Sequence, residues 1–544
     1  MKTLRTRTGF MLAAAALAAL PGIGAAQSSR GAASTPAVTI DSGRLDGVRT
    51  GAGVDAFLGI PYAAPPVRDL RWRDPQPVRP WSGTFHADRF APQCTQPQRT
   101  GETNQYSGAE ITSEDCLYLN VWAKPGARKA PVIVFIHGGG FFIGSGSMPL
   151  YGGEEAARRG AVVVNLNYRL GVLGFLSHPE LTRESPHGTS GNYAFLDQIA
   201  ALQWVRRNIA RFGGDPDNVT IAGQSAGSMA VLALQASPLA RGLFDRAVGM
   251  SGALLGSSGP GAMRPLSEGE KEGARFLDLM KAKDIRSLRL VPADRLVVPR
   301  VPGSPAIGAI QDGYVLPASI DEIFARKQQN DVPLLLGFTR DESLGGLGPI
   351  RTLAEYRERV SARYGQRAGQ FMALYPASSD EEARAQARLA DRDATMVASM
   401  KMWAVAQTVN GRSPVYSYMF ARPHSYAPGV TFPDLDPATA GAYHTSEVPF
   451  WLGTLDSFNT YLTTRAWTAA DRAFSAEMTD SLIAFAKTGN PDTRTFHWPK
   501  FDPADPQLLE LGTTARPGAW PSEGRLAFFR DTPTPRGPGG AIRD

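Results

Sequence analysis

The chain has 544 residues, 43% of them hydrophobic and 20% charged, which is the composition of a globular protein with a large buried core. This composition excludes disorder of the whole chain. The formal net charge of +6 falls to +3 once a leader with three basic and no acidic residues is removed. No run of lysine and arginine with interleaved aromatic residues occurs, so nothing in the sequence favours a nucleic-acid partner.

The first 26 residues have the pattern of a secretory signal peptide. A basic start that contains Lys2, Arg5 and Arg7 precedes an apolar run over residues 9–20, and small residues lead up to Ala26. The apolar run is shorter than the roughly 20 residues that span a bilayer. The pattern therefore predicts cleavage near Ala26, export to the periplasm or the medium, and a mature chain without a stable membrane anchor.

Composition divides the rest of the chain into three parts. Residues 27–36 are small and polar, and they are predicted to be a flexible lead-in. Residues 37–531 are predicted to form a single α/β domain, because no linker long enough to separate domains interrupts them. Residues 532–544 are rich in proline and glycine and are predicted to form a flexible tail. The sequence gives no prediction of the oligomeric state.

The sequence contains two cysteines, Cys94 and Cys116. An exported chain enters an oxidising compartment, where such a pair usually forms a disulfide. The alternative, two free buried thiols, is weaker because Cys94 lies in a polar stretch, and two cysteines without a nearby histidine do not match a metal site. A disulfide is therefore predicted.

Short apolar segments alternate with helical patterns along most of the chain. The predicted strands lie at 131–137, 161–167, 218–223, 247–250, 333–337 and 415–420, and the longest predicted helix lies at 193–212. This alternation predicts the α/β class, with a mostly parallel central sheet and helices on both faces. Two helix-rich stretches, 259–330 and 345–410, contain no recognisable chemical motif and are interpreted as helical cap segments over the sheet.

The strand at 218–223 runs directly into Gly-Gln-Ser-Ala-Gly, and a helix of small residues follows. A Gly-x-Ser-x-Gly motif between a strand and a helix is the nucleophile elbow of an α/β-hydrolase, a turn too tight for side chains at its flanking positions. The same five residues also occur by chance in glycine-rich turns. Here the strand before and the helix after the motif identify Ser225 as the candidate nucleophile.

A serine nucleophile needs hydrogen-bond donors for the oxyanion that forms when it attacks. Three consecutive glycines follow His137 at the end of the strand at 131–137, and their backbone N–H groups are not shielded by Cβ atoms. We assign the oxyanion hole to Gly139, Gly140 and the amide of Ala226. No Gly-Lys-Ser/Thr follows, so the loop does not match a phosphate-binding loop. His137 is interpreted as a structural hydrogen-bonding residue.

In an α/β-hydrolase the nucleophile, the acid and the histidine follow one another in that chain order, each after a strand. Asp341 and Glu342 both come directly after a predicted strand, and this argument leaves both as candidate acids. His424 and His444 both remain as candidate bases. His497 lies in FHWPKF, which is typical of a packed aromatic segment.

Long segments around these motifs resemble the type-B carboxylesterase and cholinesterase family, in particular its bacterial para-nitrobenzyl-esterase-like members. The matching segments are FLGIPYAAPP, SEDCLYLNVW, HGGGF, NYRLGVLGFL, FGGDPDNVTIAGQSAG, FDRAVGMSG, GFTRDE and GAYHTSEVPF. They occur in the family's order and cover nearly all of the mature chain. The resemblance implies the α/β-hydrolase fold and hydrolysis of carboxylic esters.

The resemblance also assigns roles to individual residues. It selects Glu342 as the acid and His444 as the base, with Ser251 as a hydrogen-bonding partner of the acid. It leaves Asp341 as a turn or capping residue and His424 as a surface-loop residue. No metal and no cofactor are implied, since the sequence contains neither a metal-ligand motif nor a dinucleotide fingerprint.

The same resemblance pairs four charged residues as buried ion pairs beneath the site. These pairs are Arg71 with Glu114 and Arg169 with Asp197. Their implied role is structural.

The expected substrate is a neutral small-molecule ester. Cholinesterases bind the quaternary ammonium of their substrate on a tryptophan within the first disulfide loop, whereas the loop here contains Tyr106 as its one aromatic residue. Gln224 is also neutral where cholinesterases carry a glutamate. Two alternatives remain at this point: a non-catalytic binding protein of the same fold, and a lipase or acyltransferase with the same triad.

Overall fold

A computed structural model describes residues 35–98, 103–104, 111–256, 263–298, 301, 303–342, 346–348 and 350–530. The predicted signal peptide, most of the lead-in and the tail lie outside these residues, as does Tyr106. Within the described part of the chain, no helix is both long enough and apolar enough to cross a membrane.

The centre of the described chain is an eleven-stranded sheet. The strands of the chain are β1 Ala37–Ile40, β2 Gly43–Asp46, β3 Val48–Arg49, β4 Asp55–Pro61, β5 Thr84–His86, β6 Gln93–Cys94, β7 Thr112–Ser113, β8 Tyr118–Ala123, β9 Ala130–Ile136, β10 Val162–Leu166, β11 Gly214–Gln224, β12 Arg246–Met250, β13 Arg264–Pro265, β14 Ile310–Gln311, β15 Leu334–Thr339, β16 Val415–Phe420, β17 Gln507–Leu511 and β18 Ala515–Ala519.

The large sheet has the order β18-β17-β16-β15-β12-β11-β9-β10-β8-β4-β3. Its strands run parallel from β10 through to β17 and turn antiparallel toward both edges. The central strands β9, β10 and β15 are buried along their whole length, as expected for strands covered by helices on both faces.

Helices pack on both faces of the sheet. They are α1 Glu154–Arg158, α2 Gly171–Phe175, α3 Pro179–Glu184, α4 Tyr193–Asn208, α5 Ala226–Ala236, α6 Leu266–Leu279, α7 Ile285–Leu288, α8 Ala293–Leu296, α9 Ile320–Ala325, α10 Leu353–Tyr364, α11 Ala368–Leu374, α12 Asp380–Arg392, α13 Ala398–Asn410, α14 Val448–Leu452, α15 Ala469–Thr488 and α16 Glu523–Arg530. A π-helical turn, Asp393–Val397, joins α12 to α13.

The predicted elements match the structure closely. Strands β9, β10, β11, β12, β15 and β16 lie at the predicted positions, and α4 with the short 3₁₀ turn after it occupies 193–212. The predicted cap stretches contain α6 to α9 and α10 to α13. The prediction of a mostly parallel α/β sheet is therefore confirmed.

The order of the strands decides where the chemical groups meet. Strand β11 lies between β9 and β12, and Gly223 of β11 pairs with Ile136 of β9. The oxyanion loop follows β9 and Ser225 follows β11, so both lie at the carboxyl ends of the parallel strands. Glu342 follows β15 at the same end of the sheet, which is where open α/β sheets place their ligand sites.

Candidate active site

Ser225 occupies a sharp turn between β11 and α5. Its backbone has φ +57° and ψ −123°, a conformation that an L-residue rarely adopts. The turn is held by the Ser225 N–H, which donates to the Met250 carbonyl of the neighbouring strand at 2.8 Å. This geometry is that of the nucleophile elbow predicted from the sequence.

The two glycines that flank the serine have no room for a side chain. A Cβ on Gly223 would lie 2.3 Å from the Gly227 carbonyl oxygen, and a Cβ on Gly227 would lie 2.0 Å from the carbonyl oxygen of Ile136. Both contacts are with backbone atoms, which cannot rotate away. The helix therefore packs directly against the end of β9, and this close packing explains the Gly-x-Ser-x-Gly spacing.

The predicted oxyanion loop lies beside this turn. Gly139 and Gly140 have φ values of +101° and +62°. A Cβ on Gly138 would lie 2.7 Å from the Gln224 carbonyl oxygen, so the loop reaches the elbow itself. Ala226 is the first residue of α5, where the amide has no acceptor within the helix. The three predicted donors thus come from two backbone segments that lie side by side.

His137 packs behind the oxyanion loop. Its ring stacks on Tyr168 at 4.3 Å, and its Nδ1 donates to the carbonyl of Gly138 at 2.8 Å. These contacts agree with the structural role predicted for His137.

Glu342 and His444 meet beside the elbow. His444 Nδ1 lies 2.6 Å from Glu342 Oε2. Burial raises the pKa of Glu342, but the positive charge that His444 carries when it is protonated and hydrogen bonds from His444, Ser251 and the Thr339 amide outweigh that effect and hold the pKa below its usual value. Glu342 is therefore an ionised carboxylate that accepts a hydrogen bond from the imidazole Nδ1–H.

The other ring nitrogen of His444 faces the elbow. His444 Nε2 lies 3.2 Å from Nε2 of Gln224, the residue that precedes Ser225. The Gln224 amide group donates this bond, so His444 Nε2 is the acceptor. Since Nδ1 donates to Glu342, the imidazole is the neutral tautomer that a general base requires.

A second buried glutamate, which the sequence argument missed, lies behind this pair. The Ser251 hydroxyl donates to Glu447 Oε1 at 3.0 Å, and the same hydroxyl contributes to the low pKa of Glu342. Burial is the larger cause and repulsion by Glu342 the smaller one, and together they raise the pKa of Glu447 to about 7. Glu447 stands in the matching segment GAYHTSEVPF, three residues after His444, and that spacing was the available signal.

Asp341 bonds to the backbone of the loop that carries His444. Its Oδ2 accepts the Ala442 N–H at 2.7 Å, and its own N–H donates to the Ala442 carbonyl at 3.0 Å. Gly441 has φ +59°, and a Cβ there would lie 2.2 Å from Asp341 Oδ2. Sequence analysis predicted a turn or capping residue at Asp341, whereas its side chain here bonds to a loop about a hundred residues further along the chain.

The predicted structural pairs are present. Arg71 and Glu114 form two hydrogen bonds of 2.7 and 2.5 Å. Arg169 and Asp197 form a fully buried pair with bonds of 2.8 and 2.6 Å.

Cys94 and Cys116 form the predicted disulfide. The bridge joins the end of β6 to the segment between β7 and β8. It therefore closes the loop that contains Asn104.

His424 was expected on the surface, and the structure shows that this expectation is wrong. It was assigned to a surface loop, but its side chain is buried and both ring nitrogens are engaged, by Arg465 and Tyr443 on one side and by the Ser446 carbonyl on the other. The sequence around it, RPHSYAPG, is polar and turn-like, and Arg465, which covers it, lies 41 residues further along the chain. No local pattern reveals such a contact.

Among the side chains that the structure describes, no group of three or more histidine, cysteine, aspartate or glutamate residues is arranged to hold a metal ion.

The sheet order, the elbow after β11 and the position of the buried acid after β15 define an α/β-hydrolase. Residues 34–529 match the model of the carboxylesterase family. The chain therefore belongs to the carboxylesterase family and is a carboxylic ester hydrolase.

Individual relatives agree with this assignment. The chain is 37% identical over 476 residues to fumonisin B1 esterase of Sphingopyxis macrogoltabida, covering 85% of this chain and 84% of that one. It is 34% identical over 508 residues to para-nitrobenzyl esterase of Bacillus subtilis, covering 87% and 94%. A solved structure of PNB esterase superposes with a TM-score of 0.75 at 31% identity, covering 91% of this chain and 99% of that one.

Proposed function

We propose that this protein is an exported serine carboxylesterase in which Ser225, Glu342 and His444 form the catalytic triad. One observation carries the proposal: His444 is bonded through Nδ1 to the buried carboxylate of Glu342, while its Nε2 faces the residue next to Ser225. The histidine thus has an anionic partner that fixes its tautomer and an accepting nitrogen at the nucleophile.

The reaction proceeds in two steps. Ser225 Oγ attacks the ester carbonyl carbon as His444 Nε2 takes the hydroxyl proton, and the amides of Gly139, Gly140 and Ala226 bind the oxyanion. The bond to the alcohol oxygen breaks, and the alcohol leaves with the proton from His444. Water then attacks the acyl-enzyme, giving a proton to His444, and the carboxylic acid leaves as Ser225 regains its proton.

Replacement of the nucleophile tests this proposal. Ser225→Ala is expected to abolish ester hydrolysis, lowering kcat by at least about 10⁴-fold, with the fold retained because alanine fits the space of serine. Ser237→Ala, at the other end of α5, is the matched control and keeps full activity.

A fluorescent organophosphate supplies the second readout. Mass spectrometry of the labelled wild-type protein is expected to find the adduct on Ser225 and on no other residue. Residual turnover in Ser225→Ala, or an adduct on another side chain, refutes the assignment.

Neutral esters are the proposed substrates. An apolar cleft is lined by Phe142, which follows Gly140 by two residues in the chain, and by Phe276 and Ile307 of the first cap stretch. Among the described residues, no charged side chain lines it. Gln224 places a neutral amide beside His444, where a carboxylate would attract a cation. Lipases and acyltransferases use the same first step, but hydrolysis is favoured because the relatives described above are named as esterases.

Paired substrates test this specificity. We expect kcat/KM for butyrylcholine to be no higher than that for 3,3-dimethylbutyl butyrate, its uncharged isostere, because Gln224 is neutral and none of the described residues that line the cleft is charged. Gln224→Glu is expected to shift this ratio toward the cation, and the ratio cancels any general loss of activity in that variant. A tenfold or greater wild-type preference for butyrylcholine, about 1.4 kcal/mol, contradicts the proposal.

A further inference from the structure

A buried arginine lies next to the loop that carries His444. The Arg465 side chain is 2% exposed, and its guanidinium lies over the rings of Tyr426 at 4.3 Å and Phe458 at 4.5 Å. Among the described residues, its polar contacts are all to uncharged groups. Burying a cation is unfavourable unless hydrogen bonds and aromatic faces offset the loss of water. The hydrogen bonds and ring contacts of Arg465 supply that compensation.

One of those hydrogen bonds goes to His424. Arg465 Nε donates to His424 Nδ1 at 3.1 Å, and the Tyr443 hydroxyl lies 3.1 Å from the same nitrogen. The opposite nitrogen, Nε2, lies 2.8 Å from the Ser446 carbonyl. An arginine can only donate and a carbonyl can only accept, so Nδ1 carries the lone pair and Nε2 the proton.

His424 is consequently held in one neutral tautomer. Burial is the larger cause and the charge of Arg465 the smaller one, and together they lower the pKa of His424 to about 3. The ring therefore does not change charge near neutral pH, and its two hydrogen-bonding nitrogens keep fixed donor and acceptor roles.

His424 contacts the loop that carries His444 on both sides of a strained residue. Thr445, which follows His444, has φ +77°, a conformation that is strained for a β-branched residue. Tyr443 and Ser446 flank His444 and Thr445, and both bond to His424. The contacts on both sides oppose relaxation of the strained backbone, which would move the imidazole away from Glu342.

Arg465 also connects this loop to the disulfide loop. Its Nη2 donates to Asn104 Oδ1, and Asn104 is buried although it lies within the polar loop closed by Cys94 and Cys116. The Asn104 N–H donates in turn to Asp434 at 2.9 Å. The disulfide loop, the residues after β16 and the His444 loop are therefore joined through one guanidinium.

We propose that His424 and Arg465 are positioning residues for the catalytic base, and that Asn104 links the disulfide loop to them. The inference rests on the proposed triad, because it concerns the placement of His444. Both residues act through the loop that carries His444, by their bonds to Tyr443 and Ser446. Their effect is to keep the imidazole within the few tenths of an ångström that proton transfer requires, and a displacement of about 1 Å can lower the rate about 10²-fold.

The experiment compares His424→Leu, which removes both hydrogen bonds, with His424→Gln, which keeps one donor and one acceptor. For each variant an organophosphate that labels Ser225 counts the competent sites, and kcat is expressed per labelled site. We expect His424→Leu to lower kcat about 10- to 100-fold with KM changed less than about twofold. His424→Gln is expected to recover part of that loss.

His178→Leu is the matched control. His178 is also a buried histidine, and it caps α3 by accepting the Glu180 N–H. Its loss is expected to lower the melting temperature while kcat per labelled site stays at the wild-type value. A merely structural role for His424 predicts that same result for His424→Leu, and a folded His424→Leu protein with wild-type kcat per site overturns the proposal.

Asn104→Ala tests the link if the His424 variants do not fold. It removes one acceptor from Arg465, and we expect kcat per site to fall about 3- to 10-fold with the KM unchanged. An unchanged kcat excludes the coupling of the two loops. Failure of the triad itself has a different signature, because the wild-type protein would then carry no label on Ser225.

Discussion

At the scale of single residues, two glutamates share one serine hydroxyl behind His444. Glu342 is ionised, whereas burial and the charge of Glu342 raise the pKa of Glu447 to about 7. The protonated form of Glu447 avoids placing a second negative charge beside the first. The Ser251 hydroxyl has one proton, which it donates to one carboxylate at a time, and its lone pairs accept from Glu447 when that carboxyl is protonated. The 3.0 Å contact with Ser251 thus holds Glu447 in position in either form.

This arrangement predicts how stability depends on pH. A group whose pKa is higher in the folded than in the unfolded state stabilises the protein fully below its unfolded pKa, and this stabilisation is lost as the pH rises through the folded value. For Glu447 that window runs from 4.5 to about 7. Glu342 has the opposite sign, since its contribution is lost only as the pH falls below its ordinary value of 4.5.

Glu447→Gln isolates this effect, because glutamine resembles the protonated acid and can still accept from Ser251. Relative to the wild-type protein, its free energy of unfolding is expected to rise by up to about 3 kcal/mol between pH 5 and pH 8. Urea titrations at the two pH values measure the difference. Glu381→Gln, an exposed position in the first turn of α12, is the control and gives no such change. A flat difference for Glu447→Gln means that this carboxyl is already ionised at pH 5.

At the scale of elements, the crossing of α5 over the end of β9 fixes the elbow. The helix approaches so closely that the Gly227 position touches the Ile136 carbonyl. The nucleophile and the oxyanion loop are consequently held together by backbone packing, which does not depend on flexible side chains.

Gly227→Ala tests the importance of this packing. The added methyl group has to displace backbone at 2.0 Å, and overpacking of this kind costs about 1–3 kcal/mol or more. We expect a lower melting temperature and at least about a 100-fold loss of kcat, because separation of α5 from β9 moves the oxyanion donors.

Gly369→Ala is the contrasting substitution. Gly369 lies within α11 in open space, so alanine is expected to stabilise the protein by about 0.5–1 kcal/mol without changing activity. Wild-type kcat in Gly227→Ala would show that the close approach of α5 to β9 is not needed for catalysis.

At the scale of the whole molecule, the Cys94–Cys116 bridge closes a loop whose Asn104 reaches Arg465. The two cysteines are 22 positions apart in the chain, and the loop-entropy model predicts that closing such a loop stabilises the folded protein by about 3 kcal/mol. Its contribution therefore includes both the restriction of the unfolded chain and the ordering of the loop beside the His444 segment.

One measurement on the exported protein tests the disulfide together with the proposed export. The intact mass under non-reducing, denaturing conditions is expected to correspond to a chain that begins at Gln27 and lacks two hydrogens. Replacing both cysteines by alanine is expected to lower the melting temperature by several degrees. A mass that includes residues 1–26 contradicts cleavage, and two alkylated cysteines contradict the bridge.

Local signals in the sequence determined the class of the protein. Alternating apolar strands and helices gave the parallel sheet, and Gly-Gln-Ser-Ala-Gly between a strand and a helix placed Ser225 in the elbow. These features are set by neighbours within about ten residues, because backbone conformation and the burial of a strand or helix follow from short-range patterns. The resemblance to a family then selected Glu342 and His444 from pairs that the residues alone left open.

Only the tertiary structure decided what each member of those pairs contacts. Glu342 reaches His444, whereas Asp341 bonds to the Ala442 backbone; His444 faces the elbow, whereas His424 is enclosed by Arg465. Neither Glu447 as a buried partner of Ser251 nor Arg465 beneath the His444 loop was predicted. These contacts join residues between 41 and 220 positions apart, and their hydrogen bonds and pKa values depend on burial, which no local sequence pattern specifies.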